Sequence, residues 1–154
     1  MDKISSAYVY NCNYQEHILD HPQYAYNKCK KDIGFGIIIN KSRRFYPMYI
    51  LKNYHMVYDT IDGYDITMVY MNFINMAVVY FGRLVSVNKS YFHILPIMKD
   101  VESGEEIIPG IFYNLTKNTY IYNKFHTCIM MDSEIWMKKI GGECIIGENN
   151  YTKI

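Results

Sequence analysis

Short apolar runs separated by turn-forming residues constrain this chain more than any other feature. Ile33–Asn40, Asp65–Tyr70, Met76–Val87, Tyr91–Ile97, Ile107–Tyr113, Thr119–Asn123 and His126–Met131 are rich in Ile, Val, Tyr and Phe, the residues that suit a pleated surface. Asn40-Lys-Ser-Arg43, Asp62-Gly63, the acidic stretch Asp100–Glu106 and Asn114–Asn118 interrupt them with turn chemistry. Ser5–Tyr10 has the same apolar, aromatic character and reads as a first strand or an N-terminal arm within residues 1–17. One segment breaks the pattern. Pro47 suits a first helical position, and Ile50, Leu51, Tyr54, Val57 and Tyr58 behind it recur at helical spacing. The prediction is one domain over residues 1–154, mainly β within the α+β class. Its expected form is an antiparallel barrel or sandwich carrying one amphipathic helix at about 47–59.

Composition narrows the function classes. The 16 basic and 15 acidic side chains leave a net charge of +1, without the basic surplus of a nucleic-acid binder. Two short basic turns, Lys28-Cys-Lys-Lys31 and Lys41-Ser-Arg-Arg44, read as solvated turns flanking the strand at 33–40. No apolar run approaches the roughly 18 residues that span a bilayer. The N-terminus lacks a charged segment followed by an apolar one, so the expected location is intracellular, cytoplasmic or organellar. Cys12, Cys29, Cys128 and Cys144 stand singly and are expected as reduced thiols in that setting. Ile outnumbers Leu 22 to 5, and Asn, Lys and Tyr abound, the signature of an AT-rich genome.

Gly36-Ile-Ile-Ile-Asn40, Arg44-Phe-Tyr46-Pro47, His55, Asp59-Thr60, Gly63 and Tyr70 follow one another without gaps. Together they resemble the family catalogued as domain of unknown function 3179. The lead-in Pro22-Gln-Tyr24, the closing Ser133-Glu-Ile-Trp136 and Gly142-Glu-Cys-Ile145-Ile-Gly147 extend the likeness over about residues 18–147. The family's signature continues into a Tyr-Cys-Pro-x-Cys turn. Here Met71 and Ile74 stand at the two cysteine positions and Asn72 at the proline. The resemblance therefore implies a kept scaffold without the sulfur pair that would bind a soft metal or cycle as a dithiol.

Four sets of residues carry candidate chemistry. His55 and Asp59, on one face of the expected helix, would make a carboxylate-oriented imidazole, or else tie the helix end to a loop. Arg44, just before that helix, would meet an anion, or else pair with Asp59 or Asp62. Tyr70 completes the candidate catalytic set. Cys12, His17, His21 and Cys29 have zinc-type side chains, but only His17-x-x-x-His21 has the spacing of a half-site, and no metal or cofactor is expected. His126-Thr-Cys128 with Cys144 lacks a marked third group for nucleophilic chemistry. Trp136, the only tryptophan, is expected as a buried anchor.

The 17 tyrosines exceed what one small core hides, and exposed tyrosine favours interfaces. The expected function is a non-catalytic accessory or interaction subunit of a larger assembly, with protein partners. The alternatives are a divergent enzyme or metal-binding domain using His55, Asp59 and Arg44, and a ribonucleoprotein-associated factor resting on the 28–31 and 41–44 basic turns; nucleic acid is not expected as a direct ligand.

Overall fold

Asp62 and Gly63 adopt positive φ, 53° and 80°, the two-residue turn that joins antiparallel strands in register. On either side Ile61 pairs with Tyr64 and Met56 with Val69, so residues 56–61 are extended. This hairpin belongs to a computed structural model that describes residues 4–6 and 18–148. The chain runs through β1 (Ile4–Ser6), β2 (Ile18–Asp20), β3 (Pro22–Tyr26), β4 (Ile33–Ile39), β5 (Ser42–Pro47) and α1 (Met48–Leu51). It continues through β6 (Met56–Ile61), β7 (Tyr64–Met71), β8 (Met76–Phe81), β9 (Leu84–Tyr91), β10 (Leu95–Asp100) and β11 (Glu106–Ile108). A 3-10 turn at Pro109–Ile111 precedes β12 (Tyr113–Asn114), β13 (Thr119–Tyr120), β14 (Phe125–Thr127), β15 (Ile129–Asp132), α2 (Ser133–Lys139) and β16 (Glu143–Glu148).

The expected helix over 47–59 is thus corrected to a single turn at Met48–Leu51, followed by a strand. Val57, Asp59 and Ile61 alternate inward, and pairing with β7 outweighs the weak helical spacing of the same segment. A two-turn helix not expected from the sequence, α2, starts at Asp132, whose carboxylate accepts the Glu134 and Ile135 N–H groups.

Three sheets stack face to face. A central sheet, ordered β14-β8-β7-β6-β2, lies between a second sheet, β15-β4-β5-β16-β3, and an outer sheet, β1-β9-β10-β11-β12-β13. Strand alternation divides the central sheet's side chains between two cores. Val57, Ile61, Ile66, Met68, Tyr70 and Val79 meet Phe35, Ile37, Ile39, Tyr46 and Ile145 of the second sheet. Val69, Met71, Val78 and Tyr80 meet Leu84, Met98 and Ile107 of the outer one. This is the sandwich form of the expected mainly β fold, with two edges closed by strands that switch sheets. One switch, at His21, lies between β2 and β3; the other, at Cys128, lies between β14 and β15.

Helix α2 covers the opposite face of the second sheet. Trp136 is fully buried there against Phe45 and Cys144, and its Nε1 donates to Gly141 O at 3.1 Å. A Cβ at Gly36 would sit 2.1 Å from the indole, so only glycine lets the helix approach. Under α2, Cys29 and Cys144 form a disulfide with Cα atoms 5.8 Å apart. The expectation of four reduced thiols is corrected for this pair. Its members lie 115 residues apart, and pairing of Cys144 with Ala25 across β16 and β3 brings them together. No helix among the described residues is long and apolar enough to cross a membrane.

Candidate functional site

The inner face of β5 carries Arg44 and Tyr46, while Phe45 between them faces α2. Across the gap, β6 turns Asp59 inward between Val57 and Ile61. Strands β3 and β16 add Tyr24, opposite Ile145, and Glu143, opposite Arg44. These five polar side chains form one network inside the apolar sandwich, beside the β2–β3 edge.

Asp59 is the hub. Its Oδ1 accepts from the Tyr24 hydroxyl and from Thr60 N at 2.8 Å. Its Oδ2 accepts from the Tyr46 hydroxyl at 2.8 Å and pairs with Arg44 Nη1 at 2.8 Å. A carboxylate offers about four acceptor positions, and all four are taken by the chain itself. Arg44 Nη1 also donates to Thr60 O at 3.0 Å, and Nη2 lies 3.3 Å from Glu143 Oε2. The guanidinium stacks on the Tyr24 ring at 4.2 Å. The Arg44 side chain is 8% exposed and that of Asp59 0%, so water does not compete for the contact between these two. Arg44 Nε is buried without a hydrogen-bond partner among the described residues.

Burial, then the charge of Asp59, raises the Tyr46 pKa well above the ordinary phenol value. The same two causes raise Tyr24. Burial, the largest single cause, pulls Arg44 down, but Asp59, Tyr46 and Tyr24 together outweigh it and the net shift is upward. Both phenols are therefore neutral at ordinary pH, acting as donors and not as bases. A phenol pKa raised by folding contributes stability that is complete below the unfolded value of about 10 and lost as pH rises through the folded one. Denaturant unfolding from about pH 8 to about pH 11 should show stability falling by up to about 1.4 kcal/mol per pH unit for each such tyrosine. Tyr46→Phe should flatten that slope while lowering stability at neutral pH by about 1 kcal/mol for the lost hydrogen bond. An unchanged slope would remove Tyr46 from the account.

The remaining candidates lie elsewhere. His55 precedes β6, with its carbonyl accepting Tyr70 N at 2.8 Å. Four residues of extended chain put it roughly 13 Å along from Asp59, so the shared helix face expected for the two does not exist. Tyr70 points into the inter-sheet core and donates to Asn75 Oδ1 at 2.9 Å, away from Asp59. Asp62 holds Asn40, not Arg44. Arg43 donates to Ile140 O at 2.5 Å, and with Arg44 internal the 41–44 turn presents Lys41 and Arg43 to solvent as cations.

Cys12 and His17 lie outside the described residues. His21 is exposed at the β2–β3 corner beside Asp20, and Cys29 is bonded to Cys144. No group of three metal-ligating side chains forms among the described residues. Cys144 is likewise withdrawn from Cys128, whose thiol faces the inter-sheet core and is pushed up to about 12 by burial.

No protein-family model, curated protein or solved structure matches this chain. The resemblance to domain of unknown function 3179 expected from the sequence is thus carried by its quoted residues alone, with no family model behind it. Four of those stretches each supply a network member: Pro22-x-Tyr24 gives Tyr24, Arg44-x-Tyr46-Pro47 gives two, Asp59-Thr60 gives Asp59 and Gly142-Glu143 gives Glu143. Tyr24 and Glu143 were not among the residues singled out for chemistry in the sequence, since only sheet order brings them to Arg44. Outside the network, Asp59, Thr60, Tyr24, Tyr58 and Arg83 border a cleft of about 350 Å³, with the hub carboxylate already saturated behind it.

Proposed function

We propose that this chain is a non-catalytic interaction subunit of a larger assembly, a divergent relative of domain of unknown function 3179 that keeps the scaffold and lacks the reactive turn. The observation that carries the reading is the saturation of Asp59. The residues with the most chemical potential are occupied in joining two sheets, and no carboxylate lone pair is left to take a proton from a substrate. At the turn that would carry the family's cysteines, Met71 is fully buried in the core facing the outer sheet and Ile74 is an exposed apolar side chain.

The surface agrees with an interaction role. Tyr120 and Tyr122 stack at 6.2 Å beside the outer sheet's edge and are 55% and 73% exposed, and Tyr26, Tyr64 and Phe92 are also exposed. Aromatic side chains of this kind supply interface area at low cost in rotamer entropy. A tagged chain purified from its source cells and sized by light scattering should emerge in a complex of fixed stoichiometry, well above 18.3 kDa. A free monomer under gentle extraction would overturn the proposal.

A further inference from the structure

At the end of the sandwich marked by the β4–β5 turn, the inter-sheet core is open. Ile39 and Phe81, both packed on that core, continue outward into a cavity of about 430 Å³, completed by Ile38, Asn40, Tyr64, Asn123 and His126. Its volume falls within the range of about 300–1,000 Å³ typical of small-molecule sites. One wall is aromatic, with Tyr64 and Phe81 meeting edge to face at 5.5 Å and 73°. The facing surface is aliphatic, from Ile39 of the second sheet. Flat apolar matter fits between them.

The polar groups define the rest. One N–H of the Asn40 side-chain amide is engaged by Asp62, and its Oδ1 is an acceptor. His126 Nδ1 lies 2.9 Å from Thr127 O. A carbonyl can only accept, so Nδ1 carries the proton and Nε2 of the neutral ring is an acceptor. Asn123 offers one of each kind. Acceptors outnumber donors, and among the described residues no Asp, Glu, Lys or Arg lines the cavity. We infer that this cavity binds a neutral, planar heteroaromatic molecule that presents N–H or O–H donors to Asn40 and His126. The site is separate from the Arg44–Asp59 network and does not depend on the assembly role.

Indole, 1-methylindole and indole-3-acetate test shape, donor and charge in turn, read by backbone amide shifts in two-dimensional NMR. Indole should shift the amides of residues 38–40, 64, 81 and 126 saturably, with Kd on the order of 1 mM. 1-Methylindole, with no donor, should bind roughly five- to tenfold more weakly. Indole-3-acetate should gain nothing over indole, because no cation faces it. Tyr64→Ala should weaken indole, and His126→Ala should abolish its advantage over 1-methylindole. Both side chains are at least partly exposed, and an unchanged melting curve would establish that each variant is folded. No saturable shift with indole, equal binding of the methylated analogue, tighter binding of the acetate, or indifference to both substitutions would each overturn the inference.

Discussion

Reduction of the Cys29–Cys144 bridge, or the change Cys29→Ser, should lower stability by about 2–5 kcal/mol and the melting midpoint by roughly 10 °C. The main source is the unfolded chain. A bond between residues 115 apart removes much of the freedom of the unfolded state, and the entropic effect grows with loop length. The folded state loses something too. Cys29 anchors the segment between β3 and β4, where Lys30 O accepts from Ser133 Oγ at 3.0 Å and Asp32 N donates to that oxygen at 2.9 Å. Asp32 Oδ2 also accepts from Tyr49 N in α1 at 2.8 Å. One loop thus holds the start of both helices. Trp136 emission reports the transition directly, because the only tryptophan lies against the bridge. Equal midpoints with and without reductant, or non-reducing peptide maps that fail to join the peptides of Cys29 and Cys144, would overturn this. Disulfides form where thiols are oxidised, so the bridge also requires an oxidising step that an intracellular setting does not itself supply.

The strands were readable because their turns are. Asp62-Gly63 and the Asn40 turn have side chains that tolerate positive φ, and the runs flanking them pair as their composition suggests. The failure at residues 52–59 has a definite cause. Ile50, Leu51, Tyr54, Val57 and Tyr58 satisfy a helical period, while Val57, Asp59 and Ile61 satisfy an alternating one equally well. The Asp-Gly turn decides between them, since a two-residue hairpin needs strand on both sides. Helix α2 had its own signals: Asp132 as N-cap, Lys138 and Lys139 in the last turn, and Gly141 just beyond, at φ 78°. At the site, the pairing of Arg44 with Asp59 was one of two partners expected. Tyr24 and Glu143 could not have been placed beside them. They join through β3 and β16, and the order β5-β16-β3 is a property of the sheet that no local pattern encodes.

Arg44→Met alone should cost about 3–5 kcal/mol, because it leaves the Asp59 carboxylate buried without its cation. Asp59→Leu alone should cost a similar amount, since the guanidinium then keeps only the peripheral Glu143 as a counter-charge. The double variant removes both charges together. Its loss should be smaller than the sum of the singles by more than about 2 kcal/mol, beyond the roughly 0.5 kcal/mol within which independent sites add. The remaining cost comes from the Tyr24 and Tyr46 hydroxyls, which lose their acceptor. Urea unfolding followed by Trp136 emission measures all four species, and additive losses would show that the two side chains do not act as a pair. The double variant also bears on function. If the network serves only to join the sheets, a folded Arg44→Met/Asp59→Leu protein still enters its assembly at the normal stoichiometry. A folded double variant that stays monomeric would place these charges at the partner surface, where the cleft over Asp59 would be the point of contact.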